Sequence, residues 1–523
     1  MKSLEICKKL VAWVYLFFTV LILVDVLIFQ NFINQFSKKE FSINNALLLL
    51  IGAALIAAVG FLVLRYYNKI HSFLEFAVTK KLILILALVG LILQLYVSYN
   101  IYFLTGWDAE IILDTAKAVA AGESVDSWYY KTNPNNLFTT LFYAEILKIN
   151  ASVGIFTENG GVFSIIFVQC IFSAAVSYLV YSITYGFTKS KLAALFAFLT
   201  YAVLVGLSPW FVIPYTDATG IIFPVLIFRV YQYAKAATDK KWRLTLWGLL
   251  GLLCFIGFKF KPHIAIIFIA ILAVEICTVL FSELKDKKKL ISSAASLAVC
   301  LALFLGLSLS FSVYQNNQDK IAIDPDGELG MAHFFMMGLN DETDGIYSYD
   351  DVEFSRSFET KSERSKANLE KAKERLSEFG VSGLIRHITE KSLVNFGDGT
   401  FAWSAEGSFF KYTFEPVNSK ISPFLRSFYY TSGERYSLFC DSMQIIWLSV
   451  LTLSAISVLY VFKKRDRNAA FSVLLLSLIG LTVFETLFEA RARYLFTYSP
   501  IYIICAAVGL YSLFSTLKNR IEK

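Results

Sequence analysis

Residues 82–110 read LILILALVGLILQLYVSYNIYFLTGWDAE. The part from Leu82 to Leu104 carries no charged residue, and a helix needs roughly 20 mostly apolar residues to cross a hydrocarbon core of about 30 Å. The stretch therefore predicts a membrane span that delivers Asp108 and Glu110 to the membrane surface. Eleven further runs of this kind lie near residues 10–33, 46–64, 162–185, 192–212, 218–234, 243–258, 262–281, 290–313, 440–462, 470–488 and 493–514. Across the 523 residues 56% are hydrophobic, 16% aromatic and 17% charged, and the mean hydropathy is +0.58. A soluble domain has about a quarter charged residues, so a soluble enzyme, a disordered chain and a collagen-like fibre are excluded. The expected fold is an all-α polytopic membrane protein of about 12 transmembrane helices.

Orientation follows from the basic residues of the connections, which resist translocation. With the N-terminus cytoplasmic, 24 Lys and Arg fall in inside segments and 9 in the short outside segments. Both termini are then cytoplasmic in a plasma membrane, and MKSLEICKK begins a retained anchor rather than a cleaved signal. The run from Leu137 to Ile149 is too short to span and reads as a short helix at the outer face. Five divisions result: three N-terminal spans (1–104), an external loop with a short juxtamembrane helix (105–161), a transmembrane core (162–313), a large external domain (314–439) and three C-terminal spans (440–523). The net charge of +7 does not point to nucleic acid: residues 314–439, the longest polar stretch, hold 14 basic and 20 acidic residues. Within that stretch SFETKSERSKANLEKAKERLSEFG predicts a helix ended by Gly380. None of the seven cysteines forms a pair within an external loop, so no disulfide framework is expected there.

The chemistry-bearing residues concentrate in the segments assigned outside. Asp108 or Glu110 could serve as a general base, although spacing alone favours a solvated interfacial acid; Asp114 reads as water-facing. Beyond them Trp128, Tyr129, Tyr130, Asn133, Pro134, Asn135 and Asn136 mix rings that stack on sugars with amides that pair with hydroxyls. The same mixture suits an aromatic belt followed by a helix start, and both readings stand. Asp217 in VIPYTDATG, Lys261 in FKFKPH, and Glu485, Glu489, Arg491 and Arg493 in FETLFEARARYLFTYSP lie in or beside apolar runs. Charges at such depth face cavities or pair with one another. The cations could hold a phosphate, or Glu489 could pair with Arg493 four residues on along one helix face. Arg229, near the cytoplasmic end of its span, reads as snorkelling. The four histidines, His71, His263, His333 and His387, show no ligand spacing, so no metal is expected, and His333 reads as a packed residue. No Walker loop, CxxC pair, HExxH or internal repeat is present.

Taken together, GWDAE, YYKTNPNN, YTDATG, FKFKP, HFFMMGLN with GIYSYDDV, GDGTFAW and EARARYLFTYSP resemble the GT-C superfamily, in a branch found in Gram-positive bacteria. The resemblance covers most of the chain from about Asn100 onward. It implies an integral-membrane glycosyltransferase that moves a sugar from a polyprenyl-phosphate donor to a cell-envelope glycopolymer, such as a teichoic or lipoteichoic acid or a surface polysaccharide; a protein acceptor is a further option. By position, Asp108 would be the catalytic base of an inverting transfer. Lys261 with Arg491 or Arg493 would hold the donor phosphate, and Asp217 would orient donor or acceptor. Glu110, Tyr129, Tyr130, Asn133, Asn135 and Asn136 would line the substrate site. The sequence departs from the common pattern in placing three spans rather than one before the catalytic loop, and in WDAE where several members have paired acids. Expected partners are the lipid-linked donor, the acceptor polymer, the bilayer and proteins that make or flip the donor. No cofactor is expected, because the phosphate ester already activates the sugar. The alternative is a transporter or flippase of a lipid-linked sugar, against which the absent inverted repeat counts.

Overall fold

A computed structural model describes residues 2–29, 41–284, 286–463, 465–466 and 469–521. The end of the first expected span, residues 30–33, lies outside the described residues. Among those described, ten helices are long and apolar enough to cross a membrane, beginning with Ser3–Ile28, Asn45–Arg65 and Lys80–Ile101 and closing with Tyr436–Phe462, Ala470–Leu487 and Ala492–Leu517. The protein is an all-α polytopic membrane protein, and its only sheet in the described residues is one two-stranded ribbon.

Two expected spans are corrected. Residues 192–212 do not form one rod: the helix Lys191–Tyr201 passes into a π-turn at Ala202–Gly206 and then a 3₁₀ turn at Pro209–Val212. Residues 218–234 are likewise divided into Thr216–Gly220 and Ile222–Ala236. Pro209 opens the 3₁₀ turn, and Pro224 has no N–H for the carbonyl of Gly220 four residues back; an apolar run alone does not register such breaks. The short helix expected at Leu137 extends to Val153, where left-handed Gly154 ends it.

The polar region between the spans Lys287–Asn317 and Tyr436–Phe462 packs over one end of the bundle. The ribbon fastens it: β1 (Phe103–Thr105), just after the third span, pairs antiparallel with β2 (Phe410–Thr413). Ser422 donates to Asn100 and Tyr430 to the carbonyl of Ile101. Lys391 reaches the carbonyl of Phe488, and the Ala490 amide donates to Gly345. The long helix Lys361–Phe396 opens with a capping box, Thr360 with Glu363. Gly380 (φ 55°, ψ −169°) ends its regular first part as expected, but a second helical arm starts directly after it. All seven cysteines are free.

His333 is packed, as expected. Its Nδ1 lies 2.7 Å from Ser355 Oγ, which itself donates to Asn368, so Nδ1 carries a proton. Burial, with Arg356 and Arg364 nearby and against the pull of Glu489 and Asp351, holds this histidine down at about 4. An unfolded chain takes up that proton near pH 6.5. Stability is therefore full above pH 6.5 and falls between 6.5 and 4, on the order of 3 kcal/mol in all from this group. Denaturant titrations at pH 7.5 and 5 should show the fall, and His333→Gln should flatten it.

Candidate functional site

The residues between β1 and the next helix are tightly placed. At Gly106 a β-carbon would stand 2.5 Å from the ring of the exposed Phe409, which would have to move. Trp107 follows in the left-handed region (φ 53°), uncommon for a residue with a side chain. This turn sets the Trp107 ring edge-on to Tyr215 at 4.7 Å and starts the helix Trp107–Ala120, with Asp108 and Glu110 in its first turn. Carboxylates are favoured at that helix end by the dipole, so the position alone does not require catalysis. Asp108 Oδ2 accepts from the Tyr215 hydroxyl at 3.2 Å. Burial, then the charge of Asp108, pushes the Tyr129 phenol well above its ordinary value. Glu110 is instead paired with Lys411 on β2. Asp114, 60% exposed, pairs with Lys117.

The YYKTNPNN stretch forms a buried polar frame rather than a surface belt. Tyr129 and Tyr130 are almost wholly buried. Asn136 donates to the Tyr129 hydroxyl at 2.6 Å, and Tyr130 shares a hydrogen bond with Thr140 at 2.6 Å. Burial pushes Tyr130 up to about 12, so it stays a neutral phenol. Asn133, Asn135 and Asn136 line a cavity of about 390 Å³. Trp128, by contrast, is exposed and lies under Arg356.

The remaining charges meet at the same cavity. Lys261 falls between the helix Lys240–Phe260 and the 3₁₀ turn Pro262–Ile264. It is extended because a residue before proline is pushed out of the helical region. Its ammonium is ion-paired with Asp217, which is 1% exposed. Arg493 Nη1 stands 3.6 Å from the other oxygen of Asp217, and its Nε 2.9 Å from Glu406. The guanidinium lies over the rings of Trp107 and Tyr215, 4.9 and 5.1 Å from their centroids. Among the described residues, neither that Nε nor that Nη1 makes a directed hydrogen bond, and His263 Nε2 in the same wall has no partner. Lys261, Arg493, Tyr215 and the three asparagines share the cavity with Phe258, Phe484 and Phe488, and it reaches Ile269, which is 61% exposed on the side of a spanning helix. Asp108 and Arg491 do not line it. Asp108 is one hydrogen bond away, through Tyr215.

The expected Glu489–Arg493 pair is not formed. Arg491 takes Glu489 at 2.8 Å and also Glu406. The reason is local: the helix Ala470–Leu487 has ended, the next begins at Ala492, and Phe488 is extended, so four-residue helical spacing does not apply. The cations expected to hold phosphate thus sit among Asp217, Glu406 and Glu489, in a cluster whose charges balance.

Three contributors escaped the sequence reading: Trp107, Tyr215 as the link to Asp108, and Glu406. The last is placed by GDGTFAW. Asp398 accepts from the amides of Thr400 and Ala402, Phe401 and Ala402 are left-handed, and the turn Trp403–Gly407 presents Glu406. Trp210 Nε1 donates to the carbonyls of Thr400 and Phe401. A solitary acid after a turn-rich apolar segment was the available signal. At Gly399 a β-carbon would meet the Met443 carbonyl at 2.6 Å. Gly399→Ala should therefore cost about 1–3 kcal/mol, read as a lower unfolding midpoint in detergent.

Among the described residues, ten apolar helices define a polytopic membrane protein, with a buried ion cluster beside an amphipathic cavity. Residues 3–512 match the family described as "conserved hypothetical integral membrane protein", and the chain belongs to that family. No curated protein and no solved structure matches it.

Proposed function

We propose that the protein is a membrane glycosyltransferase that moves a sugar from a polyprenyl-phosphate donor to a cell-envelope glycopolymer, with its catalytic loops outside the cell and both termini inside. The observation that carries this reading is the cavity. It joins buried cations to a phenylalanine wall that runs to an exposed position on a spanning helix, the shape and chemistry of a lipid phosphate. Arg493 and His263 retain undirected nitrogens there, available to phosphate oxygens. Asparagine amides at the other wall suit sugar hydroxyls.

In this reading Asp108 takes the proton of the acceptor hydroxyl as its oxygen attacks the anomeric carbon. The carbon–oxygen bond to the donor phosphate breaks on the opposite face, and Lys261 and Arg493 stabilise the departing polyprenyl phosphate. Tyr215, bonded to Asp108 and lining the cavity, couples the two halves. Asp217 and Glu406 hold the cations in place before donor arrives.

The test is purified protein in proteoliposomes, supplied in turn with polyprenyl-phosphate hexoses and an acceptor glycopolymer, following release of free polyprenyl phosphate. Acceptor-dependent release supports transfer. Movement of intact donor across the bilayer without release supports a flippase instead. Lys261→Met should raise the donor KM about tenfold or more, the loss expected for a charge-assisted contact of 1.5–3 kcal/mol.

A further inference from the structure

Away from the cavity, the second arm of the helix Lys361–Phe396 presents His387 and Glu390 three residues apart, facing Asp341 in the turn that follows Gly330–Gly338. Arg386 pairs with Asp341 Oδ2 at 2.6 Å and with Glu390 Oε1 at 3.5 Å, which fixes one oxygen of each carboxylate. The other oxygen of each is left without a charged partner among the described residues. Asp341 Oδ1 lies 3.8 Å from His387 Nδ1, and Glu390 Oε2 is a buried atom with no hydrogen-bond partner among the described residues.

The histidine is the telling member. It is 1% exposed, and its Nε2 lies 2.9 Å from the carbonyl of Gly338. A carbonyl only accepts, so Nε2 carries a proton. Nδ1 then either holds a second proton or presents a lone pair to two carboxylates. Nδ1 is buried and makes no hydrogen bond among the described residues. The 3.8 Å gap to Asp341 is too long for a direct hydrogen bond and leaves room for a cation between the nitrogen and the carboxylates. The backbone bond at the far nitrogen is also how proteins orient a metal-ligating histidine.

We propose that Asp341 Oδ1, His387 Nδ1 and Glu390 Oε2 bind a first-row divalent cation of the zinc or manganese kind. One ligand atom from each of the three residues lies within 4.8 Å of the others. Bonds of about 2.1 Å in tetrahedral geometry bring them to about 3.4 Å, a contraction that side-chain rotation supplies. One nitrogen and two oxygens favour these ions over magnesium and calcium, which take oxygen ligands almost alone. With three protein ligands, water completes the shell. The site is separate from the proposed transfer chemistry, yet it is tied to it: the turn carrying Asp341 continues to Gly345, whose carbonyl holds the Ala490 amide beside Glu489 and Arg491. Bound metal would tie the Asp341 turn to this helix arm, and so steady the turn whose Gly345 carbonyl holds that segment.

Full-length protein in detergent, stripped with chelator and desalted, is titrated separately with Zn²⁺, Mn²⁺, Mg²⁺ and Ca²⁺, with metal content and unfolding midpoint as readouts. One Zn²⁺ or Mn²⁺ per chain with a raised midpoint is expected. Asp341→Asn and Glu390→Gln should each weaken binding about tenfold or more. Asp341 lies on a surface turn, which favours intact variants. A measurement on the wild type stands independently of them: the electron spin echo spectrum of the Mn²⁺-loaded protein should show coupling to a single imidazole nitrogen. Absence of stoichiometric binding, binding of Mg²⁺ or Ca²⁺ alone, variants that bind as the wild type does, or a spectrum without nitrogen coupling would each overturn the assignment.

Discussion

Asp108→Asn is expected to lower sugar transfer by roughly two to four orders of magnitude, the contribution of a positioned general base, while donor KM and folded yield stay near those of the wild type. The substitution keeps the shape of the side chain and its capacity to accept from Tyr215, whose hydroxyl bonds Asp108 Oδ2 at 3.2 Å. What it removes is the proton acceptor. Asp108 touches neither Lys261 nor Arg493 in an ion pair, so its loss leaves no buried cation unmatched. The proteoliposome assay measures this directly, with size-exclusion profile and unfolding midpoint as controls. Tyr215→Phe should give a much smaller loss, since it orients the base without replacing it.

Asp217→Asn should act in the opposite manner, on stability first. Asp217 is 1% exposed and pairs with Lys261 on one oxygen and Arg493 on the other. Neutralising it leaves two buried cations short of a counter-charge, and breaking a buried ion pair from one side costs about 3–5 kcal/mol. The double variant Asp217→Asn with Lys261→Met removes one of those cations and should recover much of the stability. It should not recover transfer, because Lys261 is also proposed to hold the donor phosphate. Unfolding midpoints of the two single variants and the double variant form a cycle that measures the pair itself. Equal midpoints in all of them would mean that the pair carries no stability.

The large elements were legible because their cause is local. An apolar run of membrane length has few other uses, and the ten longest spans were placed by that criterion. The break at Lys261 was also local, written in Pro262. The site was legible only as a set of residue types. Asp217, Lys261 and Arg493 were singled out as charges too deep to be idle, and the structure brings them together. Their counter-charge was hidden, since Glu406 reaches them through a turn whose geometry depends on Asp398, Trp210 and a left-handed pair at Phe401 and Ala402. The β1–β2 ribbon pairs Leu104 with Tyr412 across the length of the chain and gave no sequence signal. The reading of Glu489 with Arg493 assumed a continuous helix, and the extended Phe488 removes that assumption. Asp341 likewise gave no hint of His387, because one lies in a turn and the other on a helix from a later part of the chain.

The central claim is transfer of a sugar onto an envelope polymer, and mass spectrometry of purified cell-envelope glycans tests it most directly. Three strains are compared: one lacking the protein, one restored with the wild type, and one restored with Asp108→Asn made at equal level. The account predicts that one sugar substituent disappears from the polymer in the first strain, returns in the second and stays absent in the third. Full return of that substituent with Asp108→Asn would contradict the account.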